Sequence, residues 1–176
     1  MQFSDATSLR KYAWVILSWL LKGASAMPQT YRALDVAKWF IAWADANEAD
    51  LSNMKLQKLL YYAQGLHLAA YDTPLFQDSI QAWSHGPVVA SVYHQYKSAQ
   101  SADLSLAGDA DFTFESFDDE TNQFFIGVWK TYGGIATWKL REMSHQELPW
   151  LDFFQPEVRD IEIPMESIKS YFKSLV

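Results

Sequence analysis

The chain has 176 residues, 49% of them hydrophobic and 16% aromatic, which is enough for one full core and short for two. Its 14 Lys and Arg stand against 21 Asp and Glu, a net charge of -7. That argues against a long-range attraction to nucleic acid or an anionic membrane and suits a basic partner better, while the absence of Cys excludes disulfides, thiolate metal sites and cysteine nucleophiles.

At the N-terminus, Arg10 and Lys11 precede an apolar run from Tyr12 to Leu21, followed by Ala24, Ser25 and Ala26. Three readings fit these letters: a cleaved signal-like segment, an amphipathic helix stopped at Gly23, or an extension ahead of a start at Met27. The run is short for a membrane span. The expected division is an N-terminal extension over residues 1–26 and one domain over 27–176.

Leu34, Ala37, Phe40, Ile41 and Ala44 recur at helical intervals, which predicts an amphipathic helix from Leu34 to Ala46. Ser52 is placed to cap a second helix running to about Tyr71. One wide face of that helix carries Leu56, Leu59, Leu60, Ala63, Leu66, His67 and Ala70; Lys55, Lys58 and Tyr62 make a second face, and Gln57, Tyr61, Gln64 and Leu68 a third. With so few charges around it, this helix should be covered on most sides and form the centre of the fold.

Asp72-Thr73-Pro74 is a turn, after which Leu75-Phe76 and Ile80 to Trp83 suit short extended segments. Gly86 frees the backbone, and Pro87 suits the first turn of a helix carrying Val88, Val89, Val92, Tyr93 and Tyr96. From Ser98 to Trp129 there is no Lys or Arg, so the segment reads as an acidic loop, with a helix resuming near Asp119 and ending at Gly133-Gly134. A shorter helix follows from Ile135 to Met143. Ser144-His145-Gln146-Glu147 matches a capping box, with Pro149 in or near the next first turn. Ile161 to Ile163 alternates like a strand, and Met165 to Phe172 reads as a final helix. The expected architecture is mainly α (α+β), a compact helical domain with a small peripheral antiparallel sheet or hairpin.

Catalytic chemistry is poorly represented. Closely spaced glycines opening a helix after a strand are absent, as is a Gly-x-Ser-x-Gly elbow. His67, His85, His94 and His145 lack the His-x-x-x-His spacing that puts two ligands on one helix face. His67 reads as a core histidine, His85 as a turn residue, His94 as a solvated helix residue and His145 as part of the capping segment. No metal and no cofactor is expected, and no enzyme activity. Lys55 and Lys58 with Tyr61 and Tyr62 imitate a basic and aromatic patch, but two lysines on an acidic chain are weak support for nucleic-acid binding.

The order of segments resembles a known family. LDVAKWFIAW from Leu34, KLQKLLYYAQGLHLA from Lys55, PLF from Pro74, IQAWSHGPVVASVYHQYK from Ile80, VWKTYGG from Val128 and SHQELPW from Ser144 are similar to the Panacea domain. This is an antitoxin domain of phages and bacteria whose wider family includes the SocA proteolysis adaptor. The resemblance runs from about Tyr31 to the C-terminus and implies a cytoplasmic, non-catalytic protein that neutralises a cognate toxin by direct binding, the toxin being encoded by an adjacent gene. Delivery of the toxin to a cellular protease is the alternative within the family; a metal-dependent hydrolase and a DNA-binding regulator are the alternatives outside it. Toxin contacts are expected from Lys55, Lys58, Tyr61, Tyr62, Gln64, Trp83 and Trp150, because interface hot spots favour Trp, Tyr and Arg. Gly65, His67, Gly86, Pro87, Ser144, His145, Glu147 and Pro149 are expected to shape the fold.

Overall fold

The computed structural model describes residues 29–107 and 111–175, so the expected extension over 1–26 lies outside the described residues. The first described helix, α1 (Ala33–Ala46), buries Val36, Ala37, Phe40, Ile41 and Ala44 along the stripe that the periodicity marks. It stops where the Asn47 side chain donates to the Trp43 carbonyl at 2.7 Å. Across the stripe, Trp39 stacks on Trp43 and donates its indole N–H to Asn122 Oδ1 at 2.7 Å, which ties α1 to α4 (Asp119–Val128).

The longest helix, α2 (Asn53–Tyr71), begins at Ser52, whose Oγ accepts the Lys55 amide at 3.4 Å, and ends at Asp72 in the left-handed conformation. Every residue from Leu56 to Leu68 is buried, polar ones included. The helix is enclosed by α1, by a hairpin of β1 (Ile80–Trp83) and β2 (Gly86–Val89), by α3 (Ala90–Tyr96), α4, α5 (Thr137–Ser144) and α7 (Met165–Lys173). β3 (Glu162–Ile163) completes a three-stranded antiparallel sheet in the order β2-β1-β3. A short α6 (Leu148–Leu151) lies between α5 and β3. The chain is thus mainly helical with a small antiparallel sheet.

Two local expectations are corrected. Gly86 and Pro87 lie in β2 and not in a helical first turn: Trp83 pairs with Gly86 across a two-residue turn at Ser84-His85, and α3 starts only at Ala90. Pro87 is tolerated because β2 is an edge strand, where a missing N–H breaks no ladder. Gly86 adopts φ +100, a conformation that side chains rarely take. The supposed capping box does not form. Ser144 is the last residue of α5 and its Oγ donates to the Arg141 carbonyl at 2.9 Å, while the Glu147 side chain turns inward and caps nothing. Burial of both residues in the interior overrides the local capping preference.

Gly65 makes the tightest packing contact of α2, because a Cβ there would fall within the Phe172 ring of α7. Gly65→Ala is therefore expected to destabilise the fold by about 1–3 kcal/mol through overpacking. The check is thermal denaturation, in which a second change, Phe172→Leu, should restore part of the lost melting temperature.

Candidate functional site

Three separated sequence segments converge beside the middle of α2. From α2 itself, Lys58 donates to the Pro87 carbonyl at 2.8 Å, and Gln57 accepts the Val89 amide at 2.9 Å while donating to Asn53 at 3.0 Å. From the other side come Ser144 and Glu147, both buried. Tyr62 donates its hydroxyl to Glu147 Oε1 at 3.0 Å and stacks on Tyr132 with ring centroids 4.2 Å apart. The Tyr61 hydroxyl lies near the same carboxyl without forming a hydrogen bond, so that oxygen and Glu147 Oε2 have no partner within the protein. Gly86 closes the cluster from above: a Cβ there would stand 2.7 Å from both Lys58 Nζ and Ser144 Oγ.

The electrostatics follow from burial. Removal from water raises the Glu147 carboxyl to about 7, even though Tyr61, Tyr62 and the Lys58 charge act in the opposite sense. Burial and the nearby Arg141 charge bring the Lys58 amine down to about 7. The phenols of Tyr61 and Tyr62 are held well above their usual range by burial and by Glu147. His145, stacked on Trp150 at 4.0 Å, is lowered to about 4 by burial and by the charges of Arg141, Lys58 and His85. Trp150 in turn donates its indole N–H to the Trp83 carbonyl at 2.8 Å, fastening α6 to the hairpin.

Outside this cluster, an open cleft of about 600 Å³ lies between the start of α2, the hairpin and α3. Met54, Trp83, Val88 and Tyr93 give it an apolar wall, and Lys58, His85 and Lys97 also line it. Thr137 lines it from α5, and the next residue, Trp138, is 68% exposed. Leu148 (56%) and Leu151 (49%) on α6 and Met54 (37%) are also large apolar side chains left in water.

The expected contact residues therefore divide. Lys58, Tyr61, Tyr62 and Gln64 are not on an exposed face: all four are buried, and the polar atoms of Lys58, Tyr62 and Gln64 are hydrogen-bonded in the interior. Gln64 accepts the amides of Leu75 and Phe76 and donates to the Phe76 carbonyl, serving that segment as a neighbouring strand would. Trp150 is buried as well, whereas Lys55 and Trp83 are partly exposed. The fold-shaping positions lie in tight or buried surroundings. His67 is a core histidine whose Nδ1 is 2.7 Å from the Thr73 carbonyl and which burial lowers to about 4. Pro149 is buried in the first turn of α6.

Sequence reasoning missed Met54, Tyr93, Lys97, Trp138, Leu148 and Leu151 as surface features. For Trp138 the signal was present, since it stands off the Leu140-Met143 face of α5 and between the polar residues Thr137 and Lys139. Among the described residues, no group of three or more His, Cys, Asp or Glu is placed to hold a metal ion. No described helix is long and apolar enough to cross a membrane.

Comparison with known proteins adds two findings. The model of a family described as antitoxin SocA-like, Panacea domain, matches residues 56–151, more than half of the chain. Antitoxin SocA of Caulobacter vibrioides (strain NA1000 / CB15N) is 41% identical over 66 residues, which cover 38% of this chain and 35% of that protein. The match thus spans about a third of the relative's length. No solved structure matches the chain.

The raised Glu147 carboxyl carries a pH signature. Between about 4.5, its ordinary value, and about 7, the folded state binds a proton that the unfolded state has released. Its stabilising contribution is therefore complete below 4.5 and lost as pH rises to 7. His67 and His145, lowered to about 4, act in the opposite direction across the same window, so the Glu147 effect is read as a difference between proteins. Relative to wild type, Glu147→Gln should gain up to about 3 kcal/mol between pH 4.5 and 7.5 in urea denaturation. A constant difference across that range would show that Glu147 titrates normally.

Proposed function

We propose that this chain, which belongs to the antitoxin SocA-like Panacea-domain family, is the antitoxin of a toxin–antitoxin pair and neutralises its toxin by direct protein binding. The observation that carries this reading beyond the family is the exposure of Trp138, Leu148, Leu151 and Met54 on a domain that buries most of its large apolar side chains. Leu148 and Leu151 are three residues apart and share a face of α6, while Trp138 adjoins the cleft through Thr137. Exposed aromatic and aliphatic anchors of this kind are what a protein interface uses as hot spots. Partly exposed Trp83 at the cleft and Lys55 on the first turn of α2 are the earlier contact candidates that remain on the outside.

Binding of this type needs contact and no turnover, so the protein acts as a stoichiometric neutraliser and not as an enzyme. Under this proposal it acts in the cytoplasm on a toxin encoded by the adjacent gene. Proteolytic delivery would use the same toxin-binding step and differ only in the fate of the toxin.

The test is co-expression with the product of the neighbouring gene, followed by growth measurement, pull-down and quantification of the toxin. Trp138→Ala combined with Leu151→Ala should weaken binding at least tenfold and abolish protection, with an unchanged melting temperature because both side chains are exposed. A folded double variant that still protects fully would remove this surface from consideration. A toxin that remains intact and bound supports direct neutralisation, whereas one that disappears only in cells with an active protease supports delivery. Protection by catalytic amounts, with the toxin or its product chemically altered, would place the protein among enzymes.

A further inference from the structure

We infer that the cleft at the N-terminal end of α2 is a binding site for a small organic anion, a phosphate or carboxylate joined to a planar or apolar body. This goes beyond toxin binding and does not depend on it. On a chain with 21 acidic and 14 basic residues, the lining of this cleft contains Lys58, Lys97 and His85 and no Asp or Glu. A local reversal of the overall charge is what a site for a single anionic group requires.

A second observation comes from the helix. Ser52, Asn53 and Met54, the cap and first residues of the 19-residue α2, all enter the lining, and the first turn carries no acidic side chain to offset the helix dipole. Ser52 Oγ takes the Lys55 amide, Leu56 makes the first bond back to Ser52, and Ser52 is bridged to Asp103, so of the first-turn amides that of Met54 precedes the intrahelical ladder. One turn further along the same side lies Lys58, fully buried, with Pro87 O accepting one of the three N–H groups an ammonium can offer. Lys58 forms the floor of this end of the cleft, its amine already engaged by the Pro87 carbonyl. Lys97 and His85, the exposed basic side chains of the lining, are the groups assigned to the anion. Arg141 adds positive charge behind Lys58.

The rest of the cleft suits the body of such a ligand. Trp83 stands edge-on to Tyr93 with centroids 4.8 Å apart, and Met54 and Val88 extend the apolar wall. A volume of about 600 Å³ falls within the range of small-molecule sites. A polyanion is disfavoured, since beyond the cleft it would meet a chain of net charge -7.

The experiment titrates the isotope-labelled full chain with adenosine monophosphate, adenosine, indole-3-acetate, indole and inorganic phosphate, following the Trp83 indole and the Ser84 and His85 amides by nuclear magnetic resonance. The expected result is saturable shifts with at least one of the two organic anions, and binding at least tenfold weaker for its neutral counterpart and for phosphate alone. Adenosine monophosphate alone would identify a phosphate site, and indole-3-acetate alone a carboxylate site. Lys97→Glu, at an exposed position, should weaken that binding at least tenfold without changing the melting temperature, which separates a binding role from a structural one. No shift at the hairpin with any anion at millimolar concentration would overturn the proposal, as would neutral and anionic bodies binding equally. Shifts produced only by the toxin protein would likewise overturn it and assign the cleft to the protein interface.

Discussion

A helix covered on every side sets the terms for the rest of this fold. Nineteen residues long, α2 has no water-facing flank between Leu56 and Leu68, so each polar group it carries must find a partner inside the protein. It solves the problem by supplying partners for others. Gln57 holds the amide of Val89, Lys58 the carbonyl of Pro87, and Gln64 both an amide and a carbonyl of the segment at Leu75 and Phe76. The hairpin and the extended segment have unpaired backbone edges, and α2 side chains take the place that further strands would fill. This is how a sheet of only three short strands packs against a helix without leaving its backbone groups unsatisfied.

The same enclosure concentrates ionisable chemistry. Lys58 and Glu147 approach the one buried cluster from different parts of the chain, and each is pushed by burial toward its neutral form. A buried polar group held by one good bond and one unmatched oxygen contributes little net stability, yet it penalises any packing that leaves it without its partner. The Tyr62–Glu147 bond and the Trp150–Trp83 bond thus fix how the segment from α5 to α6 seats against α2 and the hairpin. Family resemblance and internal architecture meet here, because the motif around Lys58, the one around Gly86 and the one around Glu147 are the three that form the cluster.

The surfaces proposed for recognition lie outside that cluster. The motif residues that look most suited to recognition, two tyrosines and a lysine in succession along a helix, are used for internal construction. The surfaces left for partners are less regular in sequence: the cleft at the start of α2 and the apolar side chains on α5 and α6. A buried scaffold with recognition on its rim would let partner specificity change without disturbing the interior, because exposed side chains can be exchanged at small cost in stability.

Helical periodicity determined α1, α2 and α7 almost to the residue, Ser52 caps α2 as its type leads one to expect, and the helix from Asp119 reaches its expected stop at Gly133 only by way of a π-helical turn over Trp129–Gly133 that follows α4. The small antiparallel sheet and the family were legible too, the first from short alternating runs and the second from the order of motifs. The site was legible only in part. Lys58, Tyr61, Tyr62 and Gln64 lie on faces that a helical projection leaves free, and nothing in α2's own letters states that the hairpin, α5 and α7 cover those faces. The placement of Pro87 in a strand and the inward turn of Glu147 have the same origin. Periodicity and capping are local properties, fixed within a few residues of chain, whereas burial of a polar side chain depends on which distant segment arrives beside it, and only tertiary packing decides that.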